Sequence, residues 1–233
     1  IFSAGAILTV TPLIATVTPA SATSICTGSI QRITLTNASA PVTTTFNSTT
    51  TPVAIPDNTP AGVLNSISVS GIPAGAIVSD ISVTFNIPHT WVGDLDINLI
   101  APNGQNLNLV GALNGGTGGN NTDNFTNTVI SSTSTTAISG AAAPRTGTFA
   151  AEARVGYGPT GNTQTVTGQT FAALQTVLNG NWQLAVADFA GGDAGTINSW
   201  SITITYGAPA TGVWTSNPAT PNTMFTDAAA TVP

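Results

Sequence analysis

Lysine is absent from this 233-residue chain, and charge of either sign is scarce. Three bases, all arginine (Arg32, Arg145 and Arg154), stand against nine acids, and charged residues make up 5% of the chain where about 25% is usual. Three scattered arginines cannot neutralise a run of phosphates, which excludes nucleic acid as a partner. A membrane-surface helix with a basic face fails for the same reason, and a Lys–Asn isopeptide crosslink has no amine to use. The single cysteine, Cys26, allows no internal disulfide, so stability must come from a hydrophobic core or a metal. Cys26 is either a small half-buried residue or one half of a bridge to another chain. Long apolar runs are missing as well. The opening segment is broken by Pro12 and Pro19 and falls short of the roughly 18 apolar residues that a membrane span needs, so no membrane insertion is expected. It also lacks the basic start of a signal peptide.

Apolar residues nevertheless make up 41% of the sequence, too many for a disordered chain. The polar share is carried by Thr, Ser, Asn and Gly. Threonine is β-branched and suits a half-solvated pleated surface, while Asn, Gly and Ser supply turns. That combination describes an all-β protein with an uncharged exterior, as expected of a secreted protein.

Short alternating segments separated by turn signals run through the middle of the chain, the pattern of a sandwich or barrel. Strands are expected over 63–69, 77–87, 95–100, 107–110, 125–130, 146–149, 182–187 and 197–206, with Pro102-Asn103-Gly104 closing a hairpin. Residues 115–121 read as a Gly/Asn loop. Phe171, Leu174, Val177 and Leu178 recur at helical spacing between Thr170 and Gly180, which predicts one short helix over 170–178 packed on the sandwich edge. Towards the start, strands are expected over 6–11 and 30–36 with a Pro/Ser/Ala/Thr linker between them. The sequence divides into 1–51 (the end of a preceding Ig-like module, a linker and a strand), a sandwich over 52–207, and 208–233 as the start of a following module. Both ends read as pieces of a longer modular polypeptide.

Several spaced elements match one family in order: Ile55-Pro56-Asp57, His89, Gly93-Asp94-Leu95, Pro102-Asn103-Gly104, then Trp182, Leu184, Val186 and Asp188, and finally Trp200. With them the stretch 52–206 resembles the P domain (P/Homo B domain) of subtilisin-like proprotein convertases. Asn181 departs from the glycine that usually precedes the tryptophan. The resemblance implies a jelly-roll-like β-sandwich that is not itself catalytic and that stabilises a separate subtilisin-like domain. The flanks resemble Ig-like or PKD-like repeats of large secreted Bacteroidetes proteins, which implies an adhesin-like array exported by the type IX route. The partners implied are neighbouring modules of the same polypeptide, or a surface glycan or protein.

Catalysis would have to use His89, the sole imidazole, yet no nucleophile elbow accompanies it. A structural role at a strand end, bonded to the adjacent turn, is expected instead. The single glutamate, Glu152, cannot supply a glycosidase pair. Calcium is the sharper expectation, since it takes six to eight oxygen ligands. Strand periodicity puts Asp94 and Asp96 on one face with Leu95 in the core, and Asp57, Asp188 and Asp193 can converge on them if the first and last strands are neighbours. The plain alternative is that these aspartates cap and form turns. The family resemblance adds that bacterial members are often calcium-stabilised. Trp182 and Trp200 read as core, and Trp91 as either a core or rim residue or an exposed ring that can stack on a sugar.

Overall fold

The computed structural model describes residues 15–18, 34–37, 40–111, 123–154 and 170–207. The chain divides into two compact units. In the first, Ala15–Thr18 (β1) pairs antiparallel with Thr34–Asn37 (β2). β1 occupies residues expected to be linker, and β2 overlaps the strand expected over 30–36. The strand expected over 6–11, the loop at 115–121, Cys26 and the segment after 207 lie outside the described residues.

The second unit is a β-sandwich. One sheet has the order β10-β9-β6-β13-β3, built from Arg145–Phe149 (β10), Phe125–Ser131 (β9), Ile77–Ile87 (β6), Ser199–Gly207 (β13) and Val42–Asn47 (β3). The other has the order β5-β11-β7-β8, from Thr59–Val69 (β5), Gly180–Asp188 (β11), Leu95–Ile100 (β7) and Asn106–Val110 (β8). A short ladder of Val53–Ile55 (β4) and Gly195–Ile197 (β12) stands beside them. The chain passes between sheets at β5 to β6, β6 to β7, β8 to β9 and β10 to β11, the crossing habit of a jelly roll. β3 precedes the boundary at residue 52 yet is a full member of its sheet, paired antiparallel with β13 from Asn47 against Ser201 to Val42 against Tyr206.

Alternation decides which side chains fill the space between the sheets. In β6 the odd-numbered residues Ile81, Val83, Phe85 and Ile87 are buried, and in β13 the even-numbered Trp200, Ile202, Ile204 and Tyr206. They face Trp182, Leu184 and Val186 of β11, Leu95, Ile97 and Leu99 of β7, and Leu107 of β8, as expected for two half-buried sheets. Each such side chain contributes about 1.5–3 kcal/mol through burial. Buried Asn65 ties the layers: its Oδ1 accepts from Trp200 Nε1 at 2.6 Å and from the Ser48 hydroxyl at 2.6 Å, while its Nδ2 donates to Thr50 Oγ1 at 2.9 Å.

Two expectations need correcting. The helix is one turn, Phe171–Leu174 (α1), not nine residues. Val177, placed on its buried stripe by spacing, is exposed. The reason is local: the Asn179 side chain bonds both N–H and C=O of Ile72, and the Leu178 carbonyl accepts from Trp182 Nε1, so the chain is already feeding β11. Asp94 also lies outside the strand. It ends a 3-10 turn, Val92–Asp94, so strand periodicity does not carry from Asp96 back to it.

Candidate functional site

His89 lies just past β6, in an isolated bridge to Gly195 of β12. Its backbone N–H donates to Asn124 Oδ1 at 3.0 Å, and its carbonyl accepts from Asn124 N–H at 3.2 Å. Its Nδ1 accepts from the Trp91 N–H at 3.2 Å, which places the ring proton on Nε2. Nε2 lies 3.3 Å from Asp188 Oδ2, and both side chains are fully buried. Asp188 ends β11 and its Oδ1 accepts from the Ala190 N–H at 3.1 Å. Burial pushes the Asp188 carboxyl upward, and the Ala190 N–H and His89 offset part of that rise. Every polar atom of this pair that points inward has a partner, so the pair welds the end of β6 to the end of β11. Gly195 completes the joint, because a Cβ there would overlap the His89 ring and crowd the Pro88 carbonyl.

The five aspartates singled out for calcium do not form one set. Asp188 spends its oxygens on His89 and Ala190. Asp94 is buried beside it, its carbonyl accepting from Phe189 N–H at 3.1 Å. Asp57 and Asp193 serve the exposed turn after β11: the Asp57 carboxylate accepts from Gly192 N–H at 3.1 and 3.2 Å, and Asp193 Oδ1 from the Thr90 hydroxyl at 2.7 Å. Asp96 is on the opposite face of its sheet, since Leu95, not Asp96, stands across from Asp188. Among the described residues no three His, Cys, Asp or Glu side chains gather closely enough to hold a metal. Asp188 and Asp96 therefore do not fit a calcium sphere at the turn end, and Asp57 and Asp193 already accept from Gly192 N–H and the Thr90 hydroxyl there.

The sequence reading missed a second polar cluster on that opposite face. Asp96 and Asn98 of β7 and Asn108 of β8 are wholly buried. Asn108 Nδ2 donates to Asp96 Oδ1 at 2.6 Å, whereas Asp96 Oδ2 and Asn98 Nδ2 have no partner. Burial pushes the Asp96 carboxyl up to about 7, against the lowering influence of the Asn98 and Asn108 amides. Glu152 lies alongside, accepting from Gly111 N–H at 2.8 Å and paired with Arg154 at 3.5 Å, with its own carboxyl raised by burial. The sequence signal available was the paired polar alternation Asp96-x-Asn98 and Asn106-x-Asn108 across the hairpin; that the structure buries it shows both faces of these strands covered.

Trp182 and Trp200 are core residues, while Trp91 is 38% exposed at the turn end beside Thr90. The His89 ring bonds the Trp91 N–H and the Asp188 carboxylate, both within the turn end of the sandwich.

Residues 78–141 match the family model described as the proprotein convertase P-domain. The chain is 30% identical over 154 residues to the leupeptin-inactivating enzyme 1 of Streptomyces exfoliatus, covering 66% of this chain and 25% of that protein. It is 30% identical over 154 residues to the transglutaminase-activating metalloprotease of Streptomyces mobaraensis, covering 66% of this chain and 14% of that protein. Among solved structures, a serine protease of Aeromonas sobria in complex with its chaperone is 15% identical, covering 68% of this chain and 27% of that chain, with a TM-score of 0.28. The chain therefore spans a quarter or less of the curated relatives it matches. The matched stretch carries His89, the 3-10 turn and the β7–β8 hairpin, and what it matches is a P-domain, not a catalytic domain.

Proposed function

We propose that this chain is the P-domain portion of a longer extracellular polypeptide and that it serves a protease domain located elsewhere in that polypeptide. The observation that carries this reading is the P-domain match over 78–141, joined to similarity with two bacterial proteins whose names describe peptide- or protein-directed activity. The chemistry agrees with an accessory role, because the one imidazole is buried against Asp188 and spent on holding the turn. Extracellular placement rests on the uncharged Thr/Ser/Asn exterior and on the protease relatives. The test is the parent polypeptide expressed with and without residues 42–207. Loss of the sandwich should lower the melting midpoint and proteolytic activity of the neighbouring domain. A parent without any protease domain overturns the reading.

A second reading rests on the resemblance of the flanks to Ig-like or PKD-like repeats together with the uncharged composition: a structural or adhesive module in a repeat array on a bacterial surface, exported by the type IX route. Serial Ig-like repeats on both sides of the sandwich would select it. In either reading a calcium brace at the turn end would rest on loop carbonyls with Asp57 or Asp193, since no three carboxylates gather there among the described residues. Millimolar calcium should then raise the melting midpoint of the chain and a chelator should reverse the gain. Equal midpoints in both conditions, with no calcium retained after dialysis, remove calcium from the account.

A further inference from the structure

An open cleft of about 410 Å³ lies where the turn after β9, the strand-like run after β10 and α1 meet. That volume falls within the roughly 300–1,000 Å³ of small-molecule sites. Its lining combines alanines, Leu107 and Phe171 with the polar residues Ser131, Ser132, Thr133, Thr170 and Gln175. No lysine or arginine is among its lining residues, so nothing there compensates a phosphate, sulfate or carboxylate.

The hydroxyls are not interchangeable. Asp80 Oδ1 takes the hydrogens of both Ser131 and Ser132, at 2.9 and 2.5 Å. Ser132 Oγ in turn accepts from the Ile81 N–H at 3.0 Å. With its hydrogen committed to Asp80, Ser131 Oγ can only accept from the Thr133 hydroxyl, 2.9 Å away. That leaves Thr133 presenting lone pairs outward, at the end of a chain polarised by a carboxylate. Thr170, the residue ahead of α1, makes no side-chain capping bond and is among the residues lining the cleft. Gln175 contributes both kinds of group. A fixed acceptor at Thr133, further hydroxyl residues, an amide that can both donate and accept, a phenylalanine and a lining without charged side chains suit a ring whose faces are C–H and whose rim is neutral hydroxyl.

We infer that this cleft binds a neutral sugar unit, as the end or an internal residue of a glycan. The site is separate from Trp91, the rim residue that sequence alone marks for sugar stacking, and it does not depend on whether a protease domain accompanies the sandwich. Binding is weak and sets specificity for uncharged rings, because each neutral hydrogen bond made at the expense of water adds only a few-fold in affinity.

The test is saturation-transfer NMR on the full 233-residue chain with a panel of neutral disaccharides of glucose, galactose, mannose and N-acetylglucosamine, against the same rings carrying uronic or sialic acid. At least one neutral member should give saturable transfer, with the acidic forms weaker by tenfold or more. Thr133→Val and Gln175→Ala, both on side chains away from the core, should each weaken it roughly three- to tenfold, and Trp91→Ala should leave it unchanged. Unchanged amide dispersion in the variants separates lost binding from lost folding. Absence of saturable transfer across the neutral panel overturns the inference. So does a signal indifferent to both cleft substitutions, or one abolished by Trp91→Ala.

Discussion

Asp96→Asn should stabilise this protein at pH 8 and do little at pH 4. Asp96 is fully buried with one oxygen unpartnered, and burial raises its carboxyl from 3.8 to about 7. A raised folded-state value means that the native chain holds a proton that the unfolded chain has already released. Between about pH 4 and pH 7 the native state therefore binds more protons, and stability falls as pH rises through that window and levels off above it. At about 1.4 kcal/mol for each unit, a rise of about three units sets a ceiling near 4 kcal/mol on the cost of ionising Asp96 at pH 8. Asparagine keeps an acceptor for Asn108 Nδ2 and cannot ionise. Any fixed packing cost of the substitution shifts both ends of the pH range equally, so the informative quantity is the change in the mutant-minus-wild-type difference. Urea unfolding at pH 4, 5.5 and 8 measures it. Asp188 and Glu152 are also raised by burial, so the variant keeps some residual slope of the same sign. A difference between the two proteins that is the same at all three pH values would refute the buried-proton account of β7.

Removing the partner of His89 should cost more than its exposure-neutral chemistry suggests. Asp188→Ala strands a buried Nε2–H and frees the Ala190 N–H, with an expected loss of about 2–4 kcal/mol in chemical unfolding; a loss under 1 kcal/mol would mean that water replaces the carboxylate. Gly195→Ala should destabilise by a comparable amount through overlap with the His89 ring, while Gly192→Ala, with open space around it but a positive φ of 108°, should cost only the backbone penalty. Hydrogen exchange at the Trp91 and Thr196 amides should rise with Gly195→Ala and not with Gly192→Ala.

The strands were legible wherever one face is dry and the other wet. Ile77–Ile87 is read from its alternation to the residue, because β6 lies mid-sheet with a core on one side only. β5 begins four residues ahead of its expected start at Val63: Pro60 argues against a strand, but β5 is an edge, where a missing N–H need not break a ladder. The 197–206 strand is in fact two, since Asn198 leaves β12 to bond the Asn86 carbonyl before β13 begins. What sequence could not yield was partnership at long range. His89 and Asp188 are 99 positions apart, and only the folded register brings them together. Asp94 and Asp96 look equivalent in sequence and end up with different roles, because a 3-10 turn ends at Asp94, directly before β7 begins at Leu95. The parallel pairing of β10 on β9 has no local signature either.

The pairing of β3 with β13 also has a mechanical consequence. Val42, the first residue of β3, lies opposite Tyr206 near the end of β13, so the chain enters and leaves the sandwich at the same end of one ladder. Tension along the polypeptide would load that ladder from its open end, breaking its hydrogen bonds one after another instead of together in shear. The Thr43–Thr205 and Thr45–Thr203 hydroxyl contacts, 3.0 and 2.8 Å long, are the first cross-strand side-chain links such a pull would meet. Under load the module would therefore yield by peeling its outermost strand, with the buried His89–Asp188 joint, at the end of β6 opposite the start of β13 and away from Tyr206, among the last parts to feel the force.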